Sequence, residues 1–299
     1  MVNKAILITG ASSGMGEATA ILLAKSGYTV FAGIRSQLAI NKLNELCLDK
    51  LYPIILDVTK IEHINNTFEF VKKTVGENGI YAIINNAGNN YSVPTEYFDE
   101  QKARFLVETH FWGMANLTKI FLPLLRLYSS KNKNQARIIN VGSVGSISAF
   151  PFIQFYNAAK FAILGFTESL RFELAPYGIK AIVIVPGSVK TSIWRRTDEA
   201  VQDSLLKLGN EGKELYQYNL FQSSKLAASM EKRGVAVEKA AKVFRKALES
   251  SNPSFKYFIG NDANVVNFMV KYLPDSLRQS FLKMKLRFKS IQINKWKSE

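Results

Sequence analysis

Residues 4–16 read KAILITGASSGMG. An apolar run ends at Thr9, a glycine-rich turn follows, and a helical stretch extends from Gly14 to Gly27. The order is strand, turn, helix. Glycines at such a turn let the backbone come close to a pyrophosphate, and the start of the helix supplies N–H groups and positive potential. Thr9, Gly10, Ser12, Ser13, Gly14, Met15 and Gly16 are the residues placed for this. Their spacing is G-x-x-x-G-x-G, not the G-x-G-x-x-G of the common dinucleotide fingerprint. A glycine turn that binds nothing satisfies the same pattern.

The alternation continues outward from that turn. YTVFAGI predicts a strand, Ser36 to Lys50 a helix, YPIIL a strand and Lys60 to Val75 a helix. IYAIIN is a strand, followed by two helical stretches around Asp99 to Leu127. ARIINV, a long helix carrying Tyr156, and IKAIVIV follow, and SFKYFIG adds a seventh strand. Strands alternating with helices imply an α/β protein whose sheet is covered on both faces. Right-handed crossovers make it Rossmann-type and doubly wound, with a mostly parallel seven-stranded sheet. Residues 1–262 are expected to form a single dinucleotide-binding catalytic domain, and 263–299 a basic helical extension. Residues 191–234 break the alternation and carry Trp194, Leu205, Leu206, Leu208, Tyr216, Tyr218, Leu220 and Phe221. Such an insert is either a lid over a site or a pair of helices packed on the domain edge.

The composition narrows the function classes. With 299 residues, 47% hydrophobic, 21% charged and only 8 Pro, the chain has enough apolar content for a full core. A single cysteine, Cys47, rules out an intrachain disulfide and suits a reducing compartment; its place in an apparent helix reads as a buried small apolar residue. No uninterrupted apolar stretch approaches the ~18 residues of a spanning helix, so a soluble, cytoplasmic protein is expected. The net charge of +15 fits nucleic acid, a membrane surface or an anionic ligand. No Cys/His finger or RNA-binding aromatic signature accompanies it, so nucleic acid is not an expected partner, and no metal site is expected.

Further candidate residues stand at the other strand ends. After the second strand an acidic residue would accept the ribose hydroxyls of NAD; here Ile34 and Arg35 stand instead. Arg35 suits a 2′-phosphate and favours NADP(H), with NAD(H) possible; as a solvated charge it has no such role. Asp57, with Val58 beside it, ends the third strand at the adenine side, or acts as an N-cap. Asn85-Asn86-Ala87-Gly88 follows the fourth strand; its small residues let backbone lie against a cofactor while its Asn side chains tie strands together. Ser143 follows the fifth. Tyr156 and Lys160, four apart on one helix face, form an acid–base pair in which the ammonium lowers the phenol pKa. Pro186-Gly187, with Val189 and Thr191 beyond, lets the chain fold across the nicotinamide end.

Taken in order, these segments resemble the short-chain dehydrogenase/reductase family. TGASSGMG, NNAG, Ser143, the Tyr156–Lys160 pair and PGSVKT match its motifs over residues 2 to about 262. VGSVGSISAFPFIQFYNAAKFAILGFTESLRFEL looks closest to the hydroxysteroid and retinol dehydrogenase-like branch. The resemblance implies hydride transfer between NADP(H) and a hydrophobic alcohol or carbonyl such as a steroid, retinoid or lipid. Tyr156 would be the acid/base, Ser143 would hold the reacting oxygen, and Lys160 would bind the nicotinamide ribose. It also implies a homodimer or homotetramer, paired through the helix ahead of the fifth strand and the Tyr156 helix.

One position departs from the family. Its fourth catalytic residue is an asparagine that holds a water beside the lysine; His110 stands there, in ETHFWG. An imidazole can also bond water and can titrate near neutrality. The alternative is a catalytically weakened, cofactor-binding regulator or scaffold. His63 reads as a surface helix residue. Phe150, Phe152 and Phe155 are either substrate wall or core and subunit contact. At the C-terminus Leu277, Phe281, Met284, Phe288 and Ile291 recur at helical spacing among Lys283, Lys285, Arg287 and Lys289. That helix either lies peripherally on an anionic membrane or docks on its own domain with a solvated basic face.

Overall fold

The computed structural model describes residues 4–132, 135–191, 201, 204, 205 and 207–289. Seven strands form one sheet: β1 (Ala5–Thr9), β2 (Thr29–Ile34), β3 (Leu51–Ile55), β4 (Ala82–Asn85), β5 (Arg137–Val141), β6 (Lys180–Pro186) and β7 (Lys256–Ile259). Their order is β3-β2-β1-β4-β5-β6-β7, and every neighbouring pair is parallel. The helices are α1 (Gly14–Lys25), α2 (Gln37–Asn44), α3 (Ile61–Val75), α4 (Glu100–Val107), α5 (Gly113–Lys131) and α6 (Gln154–Glu173). They continue as α7 (Gly209–Lys232), α8 (Val237–Glu249), α9 (Asn261–Tyr272) and α10 (Asp275–Leu286).

The central strands are apolar along their whole length because helices cover both faces. Ile6, Leu7 and Ile8 of β1, Ile83 and Ile84 of β4 and Ile182 to Val185 of β6 are all fully buried. Pro53, which cannot donate to a ladder, sits in β3 at the sheet edge. The amphipathic α8 turns Ala240, Ala241, Phe244, Ala247 and Leu248 inward, the spacing of one helix face. From β1 the chain winds outward to β3, then returns to add β4 on the other side of β1. Ligands of doubly wound sheets bind in the crevice at that reversal, beyond the carboxyl ends of the strands. Parallel register aligns those ends: Thr9 pairs with Gly33, Asn85 with Asn140, and Pro186 with Ile259.

Several expectations change in detail. α2 stops at Asn44, and Cys47 lies beyond it with a left-handed φ of 48° and its side chain exposed, so it is not a core residue. The stretch from Asp99 to Leu127 is one nearly continuous rod: α4 and α5 are joined by a π-helical turn, Glu108–Trp112. His110 lies within this π turn and is buried. In the insert, α7 is a single 24-residue helix; Trp194, Leu206 and Ile291 lie outside the described residues. Among the described residues, no helix is long and apolar enough to cross a membrane.

Candidate active site

The turn after β1 and the Asn85–Gly88 segment after β4 are packed backbone to backbone. Gly10 and Gly14 have φ of 65° and 62°, where a side chain is strained. A Cβ on Gly10 would lie 2.8 Å from Ala87 Cα, and one on Gly16 2.3 Å from the Gly10 carbonyl oxygen. The Thr9 hydroxyl accepts from the N–H groups of Asn86 (3.0 Å) and Ala87 (2.9 Å). In return Asn86 Nδ2 donates to the carbonyls of Thr9 (2.9 Å) and Gly10 (3.1 Å). Thr9 and Gly16 therefore shape the turn from below. All the other expected site residues line one cavity of about 310 Å³.

At one end of this cavity, beyond β2 and β3, stand Arg35, Leu56, Asp57 and Val58. Arg35 is exposed and Ile34 is buried beneath it. Asp57 Oδ1 accepts from the N–H (3.0 Å) and hydroxyl (2.8 Å) of Thr59, and the Asp57 N–H donates to His63 Nδ1 (3.2 Å). His63 is thus a clasp on the loop after β3, a role its sequence context did not reveal.

At the other end are Ser143, Tyr156 and Lys160, the candidate acid–base group. Ser143 follows β5 in a reciprocal turn: its Oγ accepts from the Gly145 N–H (3.0 Å), and its own N–H donates to Ser146 Oγ (2.9 Å). Tyr156 and Lys160 are one turn apart on α6, with Lys160 Nζ 5.5 Å from the Tyr156 ring centre. Lys160 is buried and donates to the Val141 carbonyl (2.7 Å). Burial lowers its pKa to about 7. Burial also raises the Tyr156 pKa, opposed by the hydrogen bond from Ser143. The lowering of the Tyr156 pKa expected from the Lys160 spacing is not seen in this geometry: burial sets its direction, and Ser143 is the group that opposes it.

His110 is 3% exposed. Its Nε2 lies 2.8 Å from the Asn89 carbonyl oxygen and 3.1 Å from the Asn89 nitrogen, so either neutral tautomer stays bonded to that loop. Its ring meets the Tyr156 ring edge-on, centres 5.4 Å apart. A Cβ on Gly88 would lie 2.5 Å from His110 Cε1, so the glycine of NNAG makes room for the imidazole. Burial first, and then the Lys160 charge, lower its pKa to about 3 against the Asn89 hydrogen bond. The expectation that His110 titrates near neutrality is corrected: the group is neutral there.

The strand-tying expected of the NNAG asparagines is present at Asn85, and its partners Asn140 and Thr167, like Asp262, gave little sequence signal. Asn85 Nδ2 donates to Asn140 Oδ1 (2.8 Å), and Asn140 Nδ2 donates to the Thr167 hydroxyl (2.9 Å), tying β4, β5 and α6 together behind the site. Asp262, in the first turn of α9, accepts from the Ser188 N–H (2.6 Å). A Cβ on Gly187 would lie 2.2 Å from Asp262 Oδ1. Only pairing of β6 with β7 brings these distant segments together. The outer wall is apolar and includes Phe150, Ile153, Leu226, Met230 and Leu286. Phe155 instead packs on Phe98, and Phe152 on Tyr216 and Phe288.

The family model described as short chain dehydrogenase matches residues 4–202. The chain belongs to the short-chain dehydrogenase family. Estradiol 17-beta-dehydrogenase 2 of Rattus norvegicus is 32% identical over 291 residues, covering 94% of this chain and 74% of that protein. Retinol dehydrogenase 16 of Mus musculus is 30% identical over 292 residues, covering 94% and 88%. The crystal structure of a short-chain dehydrogenase from Streptomyces avermitilis is similar with a TM-score of 0.74 at 27% identity, covering 95% of this chain and 97% of that one. This short-chain dehydrogenase is an oxidoreductase acting on CH–OH groups, on the branch with the hydroxysteroid and retinol dehydrogenases.

Proposed function

We propose that this enzyme is an NADP(H)-dependent oxidoreductase that interconverts a hydrophobic alcohol and its carbonyl compound, with Tyr156 as acid and base. The observation that carries the reading is the single cavity joining a side-chain-free glycine cradle to Ser143, Tyr156 and Lys160. Gly10 and Gly14 line the cavity without side chains, Gly16 and Gly88 allow close packing behind it, and the first turn of α1 offers N–H groups to the phosphates of a dinucleotide. When bound, the nicotinamide supplies or accepts the hydride. Arg35, exposed where an adenosine 2′-phosphate would lie, supports NADP(H) over NAD(H).

The residues of the chain handle the proton. The Ser143 hydroxyl and the Tyr156 phenol both reach the reacting oxygen from one side, fixing its position. In reduction, Tyr156 passes its proton to that oxygen. The phenolate left behind is costly in a buried site. Lys160, poised near pH 7, takes up or keeps a proton as that negative charge forms, so the charge is balanced within the pair. In oxidation each transfer runs in reverse. An apolar outer wall, with α7 as a lid, supports a steroid-, retinoid- or lipid-like substrate and a water-poor site.

Tyr156→Phe is expected to lower turnover of apolar ketones by at least about a thousandfold, within the range of acid–base catalysis, while NADPH binding persists. Wild-type rates in that variant would overturn the assignment. The relatives' family habit of pairing, together with exposed Phe161 and Phe172 on α6, supports a homodimer or homotetramer. A cytoplasmic, peripherally membrane-bound location accords with a basic C-terminal helix.

A further inference from the structure

α9 and α10 leave apolar side chains in water along one face each. On α9 these are Val265, Phe268 and Tyr272; on α10 they are Leu277, Phe281 and Met284. Spacings of i, i+3, i+7 and i, i+4, i+7 align each set on one stripe. All six are between 42% and 63% exposed. Exposed Lys271, Lys283, Lys285, Arg287 and Lys289 flank the stripes, with Lys285 Nζ 5.5 Å from the Phe281 ring centre. Both acidic side chains of the segment are engaged elsewhere: Asp262 accepts from the Ser188 N–H, and Asp275 pairs with Arg278.

The opposite side of α10 is held against the enzyme. Leu286 is buried and lines the cavity beside Leu226 and Met230 of α7. The Lys289 N–H donates to Asn219 Oδ1 (3.1 Å), and the Phe288 ring packs 5.7 Å from Phe152. The outward stripes therefore belong to a fixed surface element whose inner side closes the apolar end of the active site.

Charge selects the occupant of that surface. Protein interfaces are depleted in Lys at their cores, and two copies of a cationic face repel each other. An anionic bilayer attracts each Lys or Arg near its surface and accepts the apolar side chains between them. We propose that the α9–α10 face docks on an anionic membrane surface and sets the apolar end of the cavity against the bilayer, so that substrate enters from the lipid. Docking stands on the exposed face alone; entry from lipid also rests on the proposed activity toward apolar carbonyls.

Co-sedimentation of the full chain tests docking, using phosphatidylcholine vesicles with and without phosphatidylserine. The chain should bind phosphatidylserine vesicles at least about tenfold more tightly, and added salt should weaken that binding. Phe268→Gln/Leu277→Gln/Phe281→Gln/Met284→Gln should lose about tenfold or more, and Lys283→Glu/Lys285→Glu should lose the phosphatidylserine preference. Equal sedimentation of all three chains, or none for wild type, overturns docking. So does a dimer that the same substitutions dissociate while vesicle binding stays absent, which would make a second copy the occupant. NADPH oxidation tests entry: the four-Gln variant should match wild type on a water-soluble carbonyl and fall several-fold on one carried in vesicles. Equal rates on both overturn entry from lipid. Vesicle binding without turnover of any carbonyl overturns the catalytic reading and leaves docking standing.

Discussion

At the scale of single residues, His110 and Arg35 carry the sharpest consequences. A buried neutral histidine resists protonation in the folded state. The unfolded chain binds a proton there below about pH 6.5, whereas the folded chain does so only near pH 3. The contribution of His110 to stability is thus complete above about pH 6.5 and is lost as the pH falls toward 3, by about 1.4 kcal/mol per unit. Between pH 7 and 4.5 wild type is expected to lose about 3 kcal/mol from this group. His110→Asn lacks the site and should lose correspondingly less in urea unfolding at the two pH values; identical losses would contradict its burial as a neutral base. The same variant should keep its activity, because the imidazole brings no charge to the site. Arg35 makes a prediction about affinity. Arg35→Ala should weaken NADPH binding about tenfold or more, the loss of one charge-assisted phosphate contact, and change NADH binding by no more than about twofold. Fluorescence titration of both cofactors decides; equal weakening would remove the 2′-phosphate assignment.

At the scale of elements, the site is built from strand ends that helices hold in place. α6 carries Tyr156 and Lys160, and Thr167 two turns further on anchors it to β5 through Asn140. α9 reaches back through Asp262 to the Pro186–Gly187 loop. Asp262→Ala strips the Ser188 N–H of its acceptor and should raise the NADPH dissociation constant about tenfold with the fold intact; Asp262→Asn, which keeps an oxygen there, should lie closer to wild type. Unchanged cofactor affinity in the Ala variant would show that the loop holds its shape unaided. Element identity was legible wherever the apolar period was unbroken, as in AILIT or VEKAAKVFRKAL. It failed at Cys47, where a left-handed turn ends the helix early; the two helices expected around Asp99 to Leu127 are present as α4 and α5, but the π turn that joins them at Glu108–Trp112 was not legible. Neither feature has a periodic signature, because each is a single-residue adjustment imposed by packing on neighbouring strands and helices.

At the scale of the whole molecule, the apolar surface left exposed predicts assembly. Phe161 and Phe172 lie eleven residues, three helical turns, apart on one side of α6, 44% and 74% exposed. Trp112 adds a further half-exposed ring on the neighbouring turn. Phe161→Glu/Phe172→Glu is expected to convert the native oligomer to single chains in analytical ultracentrifugation, since two desolvated carboxylates would face a matching surface. A wild-type chain already of single-chain mass would remove the pairing assignment. This surface is separate from the α9–α10 stripes, whose apolar side chains are flanked by Lys271, Lys283, Lys285, Arg287 and Lys289, so the two faces suit different partners.

The sequence by itself determined the doubly wound sheet, and it singled out the glycine turn and Ser143, Tyr156 and Lys160 as candidates. Each of these depends on local periodicity or on residues close together in the chain. Tertiary structure alone decided that His110 is neutral and fitted against Gly88, and that Lys160 sits near pH 7 while burial raises Tyr156. It alone brought Asp262 to Gly187 and placed Leu286 in the cavity wall with the basic, apolar face of its helix turned outward. Desolvation and long-range contact arise only when segments far apart in the chain are packed together, so no local pattern records them.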